Sequence, residues 1–359
     1  MIRPTAYLWA LAVVCTVGCQ DDNDLGARRL IVAAGRTQVS DIYMVNGHGG
    51  IVQRITDTPH RAEIWPIWAP DGVHVYYEAR ETADRSLSLR VFNLLRGTEK
   101  VLYGPVGPGE LWCALSPDGT SMAFVAKDSF PGDLVVLDIQ TGDVRSLSQP
   151  GERLLRPEWA PDSRRLLCQA KAEDRANWEL LILDTMTGER RRLSEESDST
   201  EFKGKWSPDG RSVVHSVTPY DDRGRAGLQV VDVETGAATG LRVGDHERVI
   251  SAAWSSLGVL AAIRERPKPM LLLLWPGAAK SGEERVVTMD EKCDRGRFVW
   301  SPDGCFMAMN YRERPRKGRR GEWRMVMYDA SGNTVRQWPN RMQMFCPAWA
   351  PTTGDEGER

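Results

Sequence analysis

The chain has 359 residues, with 47 Lys and Arg against 49 Asp and Glu, and this near balance excludes the global positive field of a nucleic-acid binder. After residue 18 no apolar stretch is long enough to span a bilayer; the longest, Pro269 to Trp275, has the length of a strand. Thirteen Trp and 33 Gly are a cue for an all-β repeat fold.

At the N-terminus a single charge, Arg3, precedes an apolar run from Ala6 to Val17, which is signal-peptide length and too short for an ordinary transmembrane helix. The run ends Thr16-Val17-Gly18-Cys19 and turns polar at Gln20-Asp21-Asp22-Asn23-Asp24. That ending resembles the lipobox of bacterial lipoproteins. Gly18 suits the cleavage position and Cys19 the acylated one, although Thr16 stands where Leu is commoner; the bulky Val14 makes Cys15 a poor rival. The resemblance implies a signal peptide over 1–18 and a lipid on Cys19, with 19–27 as a short tether. Gln20, rather than Asp, after the cysteine implies an outer membrane facing the periplasm. An ordinary secretory signal with Cys19 incidental is the alternative.

Leu30–Ala34, Asp41–Val45 and Val52–Ile55 then read as short strands. From there a motif recurs as Trp68-Ala-Pro-Asp-Gly72, Leu115-Ser-Pro-Asp-Gly119, Trp159-Ala-Pro-Asp-Ser163, Trp206-Ser-Pro-Asp-Gly210 and Trp300-Ser-Pro-Asp-Gly304, with decayed copies at Trp254-Ser-Ser-Leu-Gly258 and Trp349-Ala-Pro351. The intervals are 47, 44, 47, 48, 46 and 49 residues. In each copy Pro presets the first turn position, Asp bonds the turn backbone and Gly accepts a positive φ, so the repeated Asp71, Asp118, Asp162, Asp209 and Asp303 read as turn architecture and not as catalytic carboxylates. The Trp ends an inner strand, a β-rich run such as Ser121–Val125 follows, and a third strand ends in a turn such as Asp138 to Gly142 before a short fourth. Four strands in about 47 residues make one propeller blade. The N-terminal strands match the second, third and fourth of such a unit, and Phe345–Trp349 supplies a first. The expectation is a seven-bladed β-propeller over 28–351, closed by N- and C-terminal strands that share one blade, with 352–359 as a polar tail; a six-bladed ring with loose ends is the alternative.

These repeats resemble the propeller part of TolB-like proteins with WD40-like Pro-Asp (PD40) repeats, over nearly the whole chain after Cys19. The resemblance implies the fold and leaves the function open. An α/β domain like the one before TolB's propeller has no room between Cys19 and Leu30, and only eight residues follow Pro351, too few for a hydrolase domain. There is no Gly-x-Ser-x-Gly elbow.

The five histidines (His48, His60, His74, His215 and His246) form no metal-binding pair and read as solvated loop residues; no metal and no cofactor is expected. Cys113, Cys168, Cys293, Cys305 and Cys346 lack Cys-x-x-Cys spacing and read as small buried hydrophobes, with disulfides or reactive thiols as the alternative. Propeller geometry puts the residues three before each motif Trp on one face, namely Trp65, Trp112, Arg156, Lys203, Ser251, Arg297 and Cys346. Two aromatics and three cations there form a candidate binding rim. Glu158 and Lys205 occupy equivalent places one step further on, either paired across the channel or packed between sheets. A second candidate is the basic loop from Arg312 to Arg324, containing Arg314, Arg316, Lys317, Arg319 and Arg320, whose Pro and Gly oppose regular structure. It reads either as a solvated hairpin loop or as a contact for an anionic lipid surface or an acidic partner. The leading expectation is a non-enzymatic envelope lipoprotein, a scaffold for a protein or glycan partner with its membrane contact through the lipid. The alternative is a carbohydrate-active lyase or hydrolase working in the central channel.

Overall fold

The computed structural model describes residues 26–36, 39–126, 132–172, 178–193, 199–219, 227–241, 249–264, 270–274, 284–288, 293–313, 323–338 and 344–351. Short apolar runs punctuated by turn residues give antiparallel strands, and among the described residues 28 of them pair as seven sets of four. The first set contains β1 (Arg29–Arg36), β2 (Val39–Asn46) and β3 (Ile51–Arg54). The second is β4 (Arg61–Trp68), β5 (His74–Glu81), β6 (Leu87–Asn93) and β7 (Thr98–Val106). The third is β8 (Ala114–Leu115), β9 (Ser121–Ala126), β10 (Asp133–Asp138) and β11 (Val144–Ser146). The fourth is β12 (Glu152–Trp159), β13 (Arg165–Ala172), β14 (Glu179–Asp184) and β15 (Arg190–Arg192). The fifth is β16 (Ser199–Trp206), β17 (Ser212–Pro219), β18 (Gly227–Asp232) and β19 (Ala238–Leu241). The sixth is β20 (Val249–Trp254), β21 (Leu260–Arg264), β22 (Met270–Leu274) and β23 (Glu284–Thr288). The seventh is β24 (Cys293–Trp300), β25 (Phe306–Glu313), β26 (Trp323–Asp329) and β27 (Thr334–Gln337). The last strand, β28 (Met344–Trp349), returns to the first set and pairs antiparallel with β1, Leu30 lying opposite Trp349. One parallel contact, Ser40 opposite Ala62, links β2 to β4.

Each set packs its apolar face on the next. Leu89 and Phe124 share one buried cluster, as do Leu134 and Leu166, and Leu167 and Val213. Val214 and Leu260 share another, Ile263 and Met309 the next, and the series returns to its start in the cluster that holds Met327 and Val32. The turn Asp residues act as expected: Asp71 accepts the N–H groups of Val73 and His74 at 2.8 and 2.9 Å, and Asp162 those of Arg164 and Arg165 at 2.9 and 3.0 Å. Four of the six motif Trp residues do more than fill space. The indole N–H of Trp159 donates to the Ala114 carbonyl at 2.9 Å, Trp206 to Glu158 at 3.2 Å, Trp300 to Ala253 at 3.2 Å and Trp349 to Val299 at 3.1 Å. Each acceptor is the residue before the motif position in the preceding set, so one side chain both buries aromatic area and fixes the spacing of neighbouring sheets. At the junction of seventh and first sets the Trp338 indole donates to the Gly47 carbonyl at 3.1 Å, and its ring lies where a Cβ on Gly49 would stand, 2.6 Å away.

Two expectations are corrected. His215 is not a solvated loop residue: it lies within β17, 1 % exposed, and burial pushes its imidazole down to about 4, which keeps it neutral. Cys305 is disulfide-bonded, whereas Cys113 and Cys168 are free thiols. Local Cys spacing carries no information about a bond between residues that only the fold brings together.

Candidate functional site

The innermost strands do not run straight. In β4 the ladder skips from Ile64 opposite Glu78 to Ile67 opposite Tyr76, so Trp65 and Pro66 share one partner position. The same bulge falls at Arg156-Pro157 in β12, at Lys203-Gly204 in β16 and at Cys346-Pro347 in β28. Ahead of β8 it falls at Trp112-Cys113, between the bond from Val125 N–H to the Leu111 carbonyl and the Ala114–Ala123 pair. Three of the five carry proline, which has no N–H to give the ladder. At the bulges Trp65, Trp112 and Arg156 adopt left-handed φ values of 54°, 51° and 54°. Such a conformation costs a bulky L-residue roughly 1–3 kcal/mol, and strain of this kind clusters at ligand sites. The spacing-based rim is therefore not uniform: Arg297 stands in regular ladder opposite Asn310, and in β20 the register shift comes earlier, between Val249 and Ser251, which lies opposite Ile263. Ala252 and Phe298, which follow them, keep the N–H that proline lacks.

All seven innermost strands, or the segment just ahead of β8, line one central cavity of about 460 Å³. Trp65, Trp112 and Arg156 line it, with the Arg156 guanidinium 5.3 Å from the centre of the Trp112 ring. The Trp112 indole N–H donates to Glu110 at 2.5 Å. Glu158 and Lys205 form an ion pair between the fourth and fifth sets, at the cavity wall. The entry to β4 is clamped from behind by Glu63, which is fully buried and accepts from Thr56 at 2.6 Å, from Arg61 at 2.7 Å and from Thr58; Arg61 reaches on to Glu99 at 2.6 Å. Burial raises the Glu63 carboxyl above its ordinary value despite these donors.

Sequence reasoning missed Glu78. It lies in β5, 1 % exposed, and its carboxylate receives the backbone N–H groups of Leu111 (3.5 Å) and Cys113, on either side of Trp112 in the next set. Burial pushes it up to about 7, and the neighbouring Glu110 adds to the rise while Arg80 opposes it. Burial, with Glu78 alongside, also raises the Cys113 thiol. The polar residues Gln169 and Ser216 hold the equivalent register positions in β13 and β17, opposite Leu155 and Phe202 just before the bulges. The signal was a charge inside an otherwise apolar strand, Val75-Tyr-Tyr-Glu-Ala79.

Of the other predicted residues, the side chains of Lys203 and Arg297 and the whole of Cys19 lie outside the described residues, as do Arg314, Arg316, Lys317, Arg319 and Arg320. The basic loop is shorter than its sequence suggests, because Arg312 and Arg324 belong to β25 and β26, opposite Trp323 and Tyr311. Among the described residues no group of three or more His, Cys, Asp or Glu is placed to hold a metal ion.

The family model of the TolB β-propeller domain matches residues 110–353. The chain belongs to the TolB β-propeller family. Among solved structures it is similar to TolB from Acinetobacter baumannii, at 16 % identity and TM-score 0.54, covering 90 % of this chain and 82 % of that one. An oligogalacturonate lyase from Vibrio parahaemolyticus is similar at 13 % identity and TM-score 0.61, covering 86 % and 85 %. A prolyl endopeptidase is similar at 12 % identity and TM-score 0.63, where this chain's 89 % spans only 50 % of the other. These likenesses show the TolB-like propeller fold. No curated protein matches the chain.

Proposed function

We propose that this TolB-family propeller is a non-enzymatic, exported binding scaffold. It is a ring of seven blades that holds a protein or glycan in its central cavity and is tethered to the membrane by a lipid on Cys19. The observation that carries the reading is the run of three left-handed rim residues, Trp65, Trp112 and Arg156, aimed into the one cavity that all the strand sets line. Seven strand sets, each packed on the next, support the blade number over six. The disulfide at Cys305 suits an oxidising compartment, in keeping with the signal-like N-terminus.

The three carboxylates in the lining are each engaged: Glu78 with backbone N–H groups, Glu110 with the Trp112 indole and Glu158 with Lys205. That engagement favours a scaffold. A second reading, a carbohydrate-active enzyme, draws on Glu78, a buried carboxyl that exchanges its proton near neutral pH.

The test compares partners captured from the envelope of the native host by the lipidated protein and by a Trp65→Ala, Arg156→Ala variant. Selective loss of a protein or glycan partner in the variant is expected; an unchanged set of partners overturns the cavity as the binding site. Cys19→Ser is expected to move the protein from the membrane to the soluble fraction, and continued sedimentation with membrane overturns the anchor.

A further inference from the structure

In the second to fifth sets the turns joining third to fourth strands share one hydrogen bond, from the N–H of the closing residue to the carbonyl four residues back. It runs from Gly97 to Asn93 at 2.8 Å and, at 2.9 Å, from Gly142 to Asp138, Gly188 to Asp184 and Gly236 to Asp232. The closing residue has φ of 64°, 82°, 74° and 75°, and in all four it is glycine, which meets no Cβ penalty there. The turn between β5 and β6 makes the same bond, Arg85 N–H to the Glu81 carbonyl at 3.1 Å, with φ 62°. Here the residue is arginine.

Arg85 is not held there by an ion pair, since among the described residues it has no anionic partner. It lines a recess of about 380 Å³ together with Arg80, Pro108, Gly109, Glu110 and Trp112. Glu110 and Trp112 also line the central cavity, so the recess continues that cavity outward. Arg80 is oriented by its bond to the Gly109 carbonyl at 3.0 Å. The other nearby carboxylates are engaged: Asp84 accepts the Ser86 N–H at 2.9 Å, Glu81 lies 3.9 Å from Arg90, and Glu110 holds the Trp112 indole. Among the side chains that line the recess two guanidinium groups stand against one carboxylate, Glu110. That cationic lining suits an anion, and paired guanidinium donors match the two oxygens of a carboxylate.

We infer that this recess is a carboxylate-binding subsite of the central cavity, in which Arg80 and Arg85 receive the carboxylate while the attached ring or side chain lies along Trp112. The inference rests on the cavity being a binding site and names the chemistry of its ligand. It also explains the arginine: the position tolerates a strained backbone because glycine there would leave the anion one donor short.

Calorimetric titration tests it with two pairs of probes: a short peptide with a free C-terminal carboxylate against its amide, and a uronic acid trisaccharide against its methyl ester. At least one carboxylate form is expected to bind about tenfold or more tighter than its neutral counterpart, and the pair that discriminates identifies the source of the carboxylate. Arg85→Gly should abolish the discrimination while raising the thermal unfolding midpoint, a combination that a purely structural arginine would not give. Arg80→Gln should abolish it without that gain. If both forms bind alike and binding is lost in Trp65→Ala but kept in Arg85→Gly, the recess inference falls and the cavity reading stands. If no probe binds, the carboxylate assignment falls, and the capture experiment judges the cavity separately.

Discussion

Gly142 closes its turn with φ 82° and has open space where a Cβ would go, nothing lying within 4 Å. Gly142→Ala therefore isolates the backbone term, and a loss of about 1 kcal/mol is expected in urea unfolding. A neutral result would mean that the turn relaxes at no cost, and Arg85 would then not be strained. Glu78 gives the second residue-scale test. Its folded-state carboxyl sits at about 7, above the ordinary 4.5, so the folded protein binds more protons than the unfolded chain between those values. Stability attributable to this group is thus greatest below pH 4.5 and falls as pH rises through 7. Glu78→Gln removes the titration, and it should stabilise the protein at pH 8 by at most about 3 kcal/mol while leaving stability at pH 4 nearly unchanged. Equal effects at the two pH values would show that folding does not raise the Glu78 carboxyl.

At the scale of the element, legibility followed locality. Trp-x-Pro-Asp-Gly could be read because its turn chemistry is local: Asp162 accepts the N–H groups of Arg164 and Arg165, two and three residues on. The strand order at the two ends was equally readable, since Leu30–Ala34 and Phe345–Trp349 are each other's missing neighbours. The bulges were half visible: Pro66, Pro157 and Pro347 announce them, but Trp112-Cys113 and Lys203-Gly204 carry no proline. Equal spacing therefore put Arg297 on the same footing as Arg156, although its ladder is regular from Arg295 to Trp300. The partners of Glu78 were out of reach for a different reason. The groups it satisfies, Leu111 and Cys113, belong to the next set, 33 residues away for the Leu111 bond, and no local pattern encodes that pairing. His215 misled in the same way, because a polar residue in a short strand says nothing about which sheet will cover it.

At the scale of the molecule, the seventh set closes on the first across most of the chain. Trp338 donates to Gly47, 291 residues away, and is 6 % exposed. Beside it Phe306, Met325 and Met327 pack on Leu30, Val32 and Trp349. Removal of a buried indole at this seam should cost about 3–5 kcal/mol, so Trp338→Ala is expected to lower the thermal midpoint by many degrees with a single cooperative transition. Two separate transitions would show that the first set opens independently of the rest.

The pairing of β1 with β28 also decides how the molecule answers a pull. The strands are antiparallel, and Leu30 faces Trp349 at the end from which both chain termini depart. Tension applied between the termini does not shear the whole ladder at once. It loads the outermost bond, from Ala350 N–H to the Arg29 carbonyl at 2.9 Å, and then each successive one, like a zipper opened from its free end. A protein fastened at its N-terminus and gripped on the cavity face carries load through the stacked sheets, whereas one gripped by its C-terminal strand yields at low force, one hydrogen bond at a time.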